Sequence, residues 1–286
     1  HVTLYIGTQS NGQGHETVFR QILSERLGIS FGEITMVQGD SDRIASGGGT
    51  MGSRSVPIGG SAISAAALKL IETAKHKAAE MMESAVTDIE FNAGEFRIVG
   101  TDVTQSFQSV ARAAAPADGG ASFDEAETFA PTTATYPNGT HVCELEIDMD
   151  TAAIEVVDYC VVDDFGKAIN PLLLKGQVHG GIAQGLGQAL LESCQYEPET
   201  GQFLSATFMD YTMPRAYDLP SIRFKRNEVP CTTNPLGIKG AGEAGAIGAP
   251  PAIINAVVNA LAEYGVRHVD MPIRQSELWQ LLRGSA

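Results

Sequence analysis

Positive charge is scarce in this chain of 286 residues: 19 lysines and arginines face 34 aspartates and glutamates, for a formal net charge of −15. Such a field repels nucleic-acid phosphates and anionic lipid, so neither is expected as a partner. A phosphate-bearing ligand would have to be met by local backbone donors instead. Cysteine is sparse too. Cys143, Cys160, Cys194 and Cys231 stand alone, without the close spacings of zinc or iron–sulfur motifs or the density of a secreted disulfide scaffold, and the cytoplasm is the expected compartment. His141, His179, Glu144 and Glu146 are not at ligand spacing either, so zinc or iron held by the protein is not expected. No run of 18 apolar residues and no basic-then-apolar leader occurs, so neither a membrane span nor an intact secretion signal is expected. The chain opens on a strand-like run rather than on methionine, as expected of a fragment or of one polypeptide of a split assembly.

What is present is glycine, 31 residues in clusters, within a chain that is 43% hydrophobic and long enough for two packed units. Val2, Leu4 and Ile6 alternate as in a half-buried strand, and Val18, Phe19, Ile22, Leu23 and Leu27 form a helical stripe that Gly28 should stop. A second strand is expected around Ile34 and Met36. A long helix from about Ser61 to Met82 should bury Ile63, Leu70, Ile71, Ala74, Ala78 and Met81, and a hairpin should turn at Asn92-Ala93-Gly94. The composition shifts most near residues 115–135, which gives expected units of 1–120 and 121–286. Beyond the shift, Cys143, Leu145, Ile147 and Met149 alternate inward on a strand, and a partner strand follows at about 153–162. A glycine-studded helix, or a loop followed by a helix, comes next, and a second stretch repeats the loop-then-helix arrangement; Pro251 can occupy the first turn of its helix, and Gly265 should end it. A last helix should dock Leu278, Trp279 and Leu282. Strands and helices do not alternate as in a doubly wound sheet, so the class is α+β.

Three glycine-dense loops, 11–15, 46–55 and 239–248, precede helices. Backbone N–H groups there can converge on an anion, helped by the positive end of the helix, or they can simply be tight turns. None is a dinucleotide fingerprint or a phosphate loop with its lysine–serine pair. Gln13, His15, Ser53, Arg54 and Ser55 add directed donors; Arg54 can fork onto oxygen acceptors or pair with Asp40 or Asp42, and His15 can be no more than a cap. Glu243 sits among small residues in Lys239-Gly240-Ala241-Gly242-Glu243-Ala244-Gly245. There it can serve as a general base, aided by partial burial, or it can cap the next helix or pair with Lys239. Phe208, Met209, Tyr211 and Met213 can touch substrate, but such a cluster is more often core.

Gly12-Gln13-Gly14-His15-Glu16-Thr17, Gly49-Thr50-Met51-Gly52-Ser53-Arg54-Ser55, Gly176 through Gly185 and Lys239 through Glu243 occur in the same order as the cofactor motifs of the xanthine dehydrogenase, aldehyde oxidase and carbon monoxide dehydrogenase large-subunit family, which the chain resembles over essentially its whole length. Asn170-Pro171 and Asp210-Tyr211-x-x-Pro214 support the likeness. The resemblance implies two α/β subdomains of the molybdenum hydroxylase cofactor-binding fold. It implies molybdenum held by the dithiolene of a pyranopterin, in bacterial members commonly as the cytosine dinucleotide, and not by a protein ligand. By that analogy Gln13, Gly14, His15, Gly52, Ser53, Arg54, Ser55, Gln177, His179, Gly180, Gly181, Gln184, Lys239, Gly240, Ala241 and Gly242 line the cofactor, and Glu243 matches the active-site glutamate.

The activity so implied is base-assisted hydroxylation of an aldehyde or N-heteroaromatic carbon with oxygen from water. An amino-terminal molybdopterin-binding half or subunit would complete the site, as in split enzymes resembling nicotinate dehydrogenase. Electrons would leave through the 2Fe-2S clusters of an iron–sulfur subunit and the FAD of a flavin subunit, and the chain by itself would be inactive. The alternatives are a carbon monoxide dehydrogenase-like large-subunit fragment and a catalytically silent cofactor-binding or assembly partner.

Overall fold

A computed structural model describes residues 1–284. The chain forms two compact units, one of His1–Thr135 with Pro230–Gly240, the other of Tyr136–Val229 with the segment from Ala241 onward. The division falls after Thr135 rather than at residue 120, and Pro230–Gly240 returns to the first unit. Local composition carries no signal of that return.

In the first unit, β1 (Val2–Ile6), α1 (His15–Leu27) and β2 (Ile34–Gln38) make a β-α-β crossover, with β1 and β2 parallel and Val2 opposite Ile34. The expected stripe of α1 is buried, Phe19 and Leu27 completely, and Gly28 ends the helix in the left-handed region with φ 61°. Its N–H donates to Ser24 O, as a glycine stop should. A β-carbon on Gly28 would lie 2.1 Å from Gly94 N, so this helix end needs glycine for close approach as well as for its φ. Helix α2 (Ser61–Met81) buries Ile63, Ala67, Ile71, Ala74 and Ala78, while Leu70 and Met81 lie off that face and stay half-buried. The hairpin β3 (Ile89–Asn92) and β4 (Glu95–Ile98) turns through Ala93 and Gly94, both at positive φ, and β5 (Thr104–Ser106) extends it. Ser106 then caps α3 (Phe107–Ala113) by accepting from Ser109 N–H.

In the second unit, β6 (Asn138–Ile147) and β7 (Ile154–Asp164) are antiparallel, and β8 (Ile222–Arg226) runs parallel to β7. Cys143, Leu145 and Ile147 face inward as expected, but Met149 is 39% exposed. The strand has ended by then: Asp148 Oδ1 accepts from Asp150 and Thr151 N–H, closing a side-chain turn that carries Met149 outward. Helices α4 (Pro171–Leu190) and α5 (Ala244–Ala260) pack on this sheet and on each other. Their glycines explain themselves there: a β-carbon on Gly181 would lie 2.9 Å from Gly245 Cα, and one on Gly185 2.8 Å from Ala249 Cβ. Pro250 and Pro251 lie beyond the first turn, inside α5, not at its start. The helix continues past them with two amide donors fewer. It gives way to a single 3-10 turn that Gly265 closes at φ 78°. Helix α6 (Gln275–Gly284) buries Leu278 and half-buries Leu282, whereas Trp279 stays 43% exposed and anchors by donating its indole N–H to Asp150 O. No helix among the described residues is long and apolar enough to cross a membrane.

Candidate cofactor-binding site

The first unit joins two of the glycine loops into one structure. A β-carbon on Gly47 would lie 2.5 Å from Gly7 O, and Gly49 N–H donates to the same oxygen. Thr50 completes the connection: its hydroxyl donates to Gln9 O, its oxygen accepts from Gln9 N–H, and Ser55 Oγ donates to it at 3.0 Å. Gly7, Gln9, Gly47 and this role of Thr50 were not singled out in the sequence; the pairing of two glycines forty residues apart has no local signature. Left-handed backbone at Gly12, Gly14, Gly49, Gly52 and Ser53 gives both loops their tight course. Gln13 folds its amide back onto its own loop, accepting from Asn11 N–H and donating to Gln9 O. His15, 2% exposed, begins α1 with its ring 4.9 Å from Phe19 and Nδ1 3.2 Å from Gln38 Nε2. Burial holds its pKa below the ordinary histidine value, against the opposing pull of Gln38.

The fourth motif begins in the same unit. Lys239 is half-buried, and Gly240 presses on the second loop, where a β-carbon would meet Ser53 O. Ser55 is buried. Arg54 is exposed beside Gly48 and has no ion pair among the described residues; Asp40, one of its alternative partners, instead accepts from Asp42 N–H. A forked cation is therefore presented outward by a chain of strong negative charge.

In the second unit Asn170 caps α4 by accepting from Leu173 N–H, and Pro171 occupies the first turn, which accounts for that dipeptide. Gly176, Gly180 and Gln184 are exposed along the helix, Gln177 is half-buried, and Gly181 faces α5. His179 Nε2 is buried with no hydrogen-bond partner among the described residues. Burial, then the nearby charge of Lys175, lowers its pKa. Gly245 brings the start of α5 onto this stretch, with a would-be β-carbon 2.6 Å from Val178 O and 2.7 Å from Ile182 N. Ala241 is half-buried and Gly242 exposed. Glu243 occupies the N-cap position of α5, yet its side chain does not cap the helix. It is exposed, so the expected partial burial is not found within this chain.

The Asp210-Tyr211-x-x-Pro214 motif is an anchor. Tyr211 OH donates to Glu192 Oε2 at 2.6 Å, and Pro214 Cγ would lie 2.8 Å from a β-carbon on Gly187 at the end of α4. That hydrogen bond and burial push the Tyr211 phenol up to about 12. Phe208 and Met209 are 80% and 90% exposed, so the cluster is not core.

In the first unit the exposed Arg54 guanidinium and loop backbone at positive φ are chemistry that suits phosphate oxygens; in the second, the exposed Gln184 and a His179 Nε2 without a hydrogen-bond partner among the described residues suit polar atoms of a pterin. Among the described residues no three His, Cys, Asp or Glu side chains gather as ligands for a metal ion.

Comparison with known proteins bears on the same point. Residues 1–220 match the family model of the molybdopterin cofactor-binding domain. The carbon monoxide dehydrogenase large chain of Hydrogenophaga pseudoflava is 34% identical over 97% of this chain and 35% of its own length. The structure of a Cu,Mo-CO dehydrogenase in its carbon monoxide-reduced state superimposes with a TM-score of 0.91 at 34% identity, over 98% of this chain and 36% of that one. Quinoline 2-oxidoreductase from Pseudomonas putida 86 superimposes with a TM-score of 0.88 at 35% identity, over 98% and 36%. The chain thus spans about a third of the length of the relatives it matches. With the expected mixed fold observed, it belongs to the molybdopterin cofactor-binding family of molybdenum hydroxylases and carbon monoxide dehydrogenase large subunits.

Proposed function

We propose that this chain supplies the catalytic base and part of the pterin-binding surface of a molybdenum hydroxylase that oxidises an aldehyde or N-heteroaromatic carbon. The observation that carries the proposal is the position of Glu243. It stands exposed at the head of α5, its side chain makes no cap hydrogen bond to that helix, and it follows the small residues Ala241 and Gly242.

Replacing C–H by C–OH with water releases two electrons and two protons. When bound, the molybdenum–pterin group supplies the electron sink and the Lewis acid that activates water. Glu243 takes the proton from the water-derived nucleophile. Arg54, with the Gly52–Ser55 backbone and Lys239-Gly240, holds phosphate oxygens of the pterin, in its cytosine dinucleotide form. His179 Nε2, Gln177, Gln184 and the open backbone at Gly180 meet other polar atoms of the cofactor, and Gln13 and Gly14 with the buried His15 shape the first loop. A second molybdopterin-binding segment, an iron–sulfur partner and an FAD partner complete the electron path.

A carbon monoxide dehydrogenase-like activity is the second reading, favoured by the likeness to a Cu,Mo enzyme. One experiment separates the two. The native complex is purified, its molybdenum, copper and pterin nucleotide are measured, and its reduction by benzaldehyde, quinoline and carbon monoxide is followed. Molybdenum with reduction by an aldehyde or quinoline supports the proposal; copper with reduction by carbon monoxide alone supports the second reading. Pterin without reduction by any of them identifies a silent binding partner and refutes both.

A further inference from the structure

Within the second unit, one half-buried imidazole is placed where the proposed base would need it. His141 of β6 lays its ring flat against α5 at Gly248: a β-carbon there would lie 2.6 Å from Nε2 and 2.7 Å from Cδ2 and Cε1. Two residues of β7 hold the ring. Tyr159, 1% exposed, places its hydroxyl 2.8 Å from Nδ1 and its ring edge-on at 5.8 Å. Asp163, 3% exposed, has Oδ1 3.5 Å from Nε2 and leaves Oδ2 buried with no hydrogen-bond partner among the described residues. Burying a carboxyl group with an unpaired oxygen is costly, and a purely apolar seat would do as well if holding the sheet to the helix were the whole task.

We infer that His141 is a positioning residue for Glu243, acting through α5, with Tyr159 and Asp163 fixing its ring. Gly248 stands five residues after Glu243, about 7.5 Å along the helix axis. The ring therefore sets how far α5 approaches the sheet close to its first turn, where the carboxylate is carried. Gly245, one turn earlier on the same helix, packs against Val178 O of α4, so the head of α5 is held by both a strand and a helix. The inference rests on the assignment of Glu243 as the base, but its geometry is testable without that assignment.

The test is a cycle of Gly248→Ala, His141→Ala and the double variant in the full-length protein with its partners. It is read by amide hydrogen exchange over residues 243–249, which requires neither substrate nor turnover. Gly248→Ala should raise exchange there at least tenfold, because its methyl displaces the ring or the helix. The double variant should return to within threefold of His141→Ala. Turnover per molybdenum should fall about tenfold in Gly248→Ala and be lowered in His141→Ala, with KM within threefold in both, and the double variant should be no slower than His141→Ala, whereas a merely structural seat would lower thermal stability and leave turnover per molybdenum unchanged. Exchange unaltered by Gly248→Ala, or no relief in the double variant, would overturn the inference. If Gly248→Ala does not assemble, assembly of the double variant supports the seat. Failure of the double variant counts against it, whether or not His141→Ala assembles. Glu243→Gln separates the two claims: it should leave exchange as in the parent and remove turnover. Full turnover in Glu243→Gln would refute the base and not the seat.

Discussion

A β-carbon placed on Gly240 would fall 1.7 Å from the carbonyl oxygen of Ser53, a residue that itself holds φ at 53°. The first part of the fourth motif is thus seated on the second, and both must keep the same backbone for Arg54 to be presented. Gly240→Ala should move the 52–55 loop, lower the pterin content of the assembled enzyme severalfold and destabilise the protein by about 1–3 kcal/mol. Fluorescence of released, oxidised pterin and a urea titration measure the two effects.

Gly180 and Gly181 are neighbours in α4 with opposite surroundings. Nothing lies within 4 Å of a β-carbon on Gly180, whereas one on Gly181 would meet Gly245 at 2.9 Å. Gly181→Ala should cost about 1–3 kcal/mol by forcing the helices apart. Gly180→Ala should stabilise the protein by roughly 1 kcal/mol through helix propensity, yet reduce pterin content if that open face lies on the cofactor. Urea midpoints should therefore move in opposite directions for the two variants.

Arg54 is exposed and unpaired among the described residues, so its removal should leave stability within about 0.5 kcal/mol. Arg54→Ala should nevertheless lose cofactor, and Arg54→Lys should restore it only in part, because an ammonium cannot fork onto two oxygens. Retention of full pterin content in Arg54→Ala would remove this residue from the binding surface.

Histidine 15 gives a pH dependence of definite sign. Burial lowers its folded-state pKa beneath the ordinary value near 6.5, so below about that pH the unfolded chain binds more protons than the folded one. Its contribution is fully present above pH 6.5 and is lost as pH falls from there through the depressed folded-state value. His179 is shifted in the same direction and adds to the slope. His15→Phe should flatten the decline of the urea midpoint as pH falls below about 6.5 without abolishing it.

Much of the fold was legible because its signals are local. The stripe of α1, its glycine stop at Gly28, and the turn at Ala93-Gly94 each lie within one element, and the structure shows all three. The features missed depend on distant partners or on where a strand ends. The return of Pro230–Gly240, the close contact of Gly7 with Gly47 and the crossing at Gly181 and Gly245 all depend on backbone groups far apart in sequence. Met149 was misread because alternation continues in the letters after the strand has ended at Ile147. At the candidate site, motif order marks the loops, but the lack of a partner for His179 Nε2 among the described residues, the burial of His15 and the absence of a cap hydrogen bond from Glu243 all depend on packing between elements distant in sequence.

The most direct measurement is the turnover of Glu243→Gln in the assembled enzyme, normalised to molybdenum. The amide keeps the shape of the side chain and cannot accept the proton, so a fall of roughly 10²–10⁴ with unchanged molybdenum and pterin content is predicted. Turnover equal to the parent at equal molybdenum would contradict the assignment of Glu243 as the base.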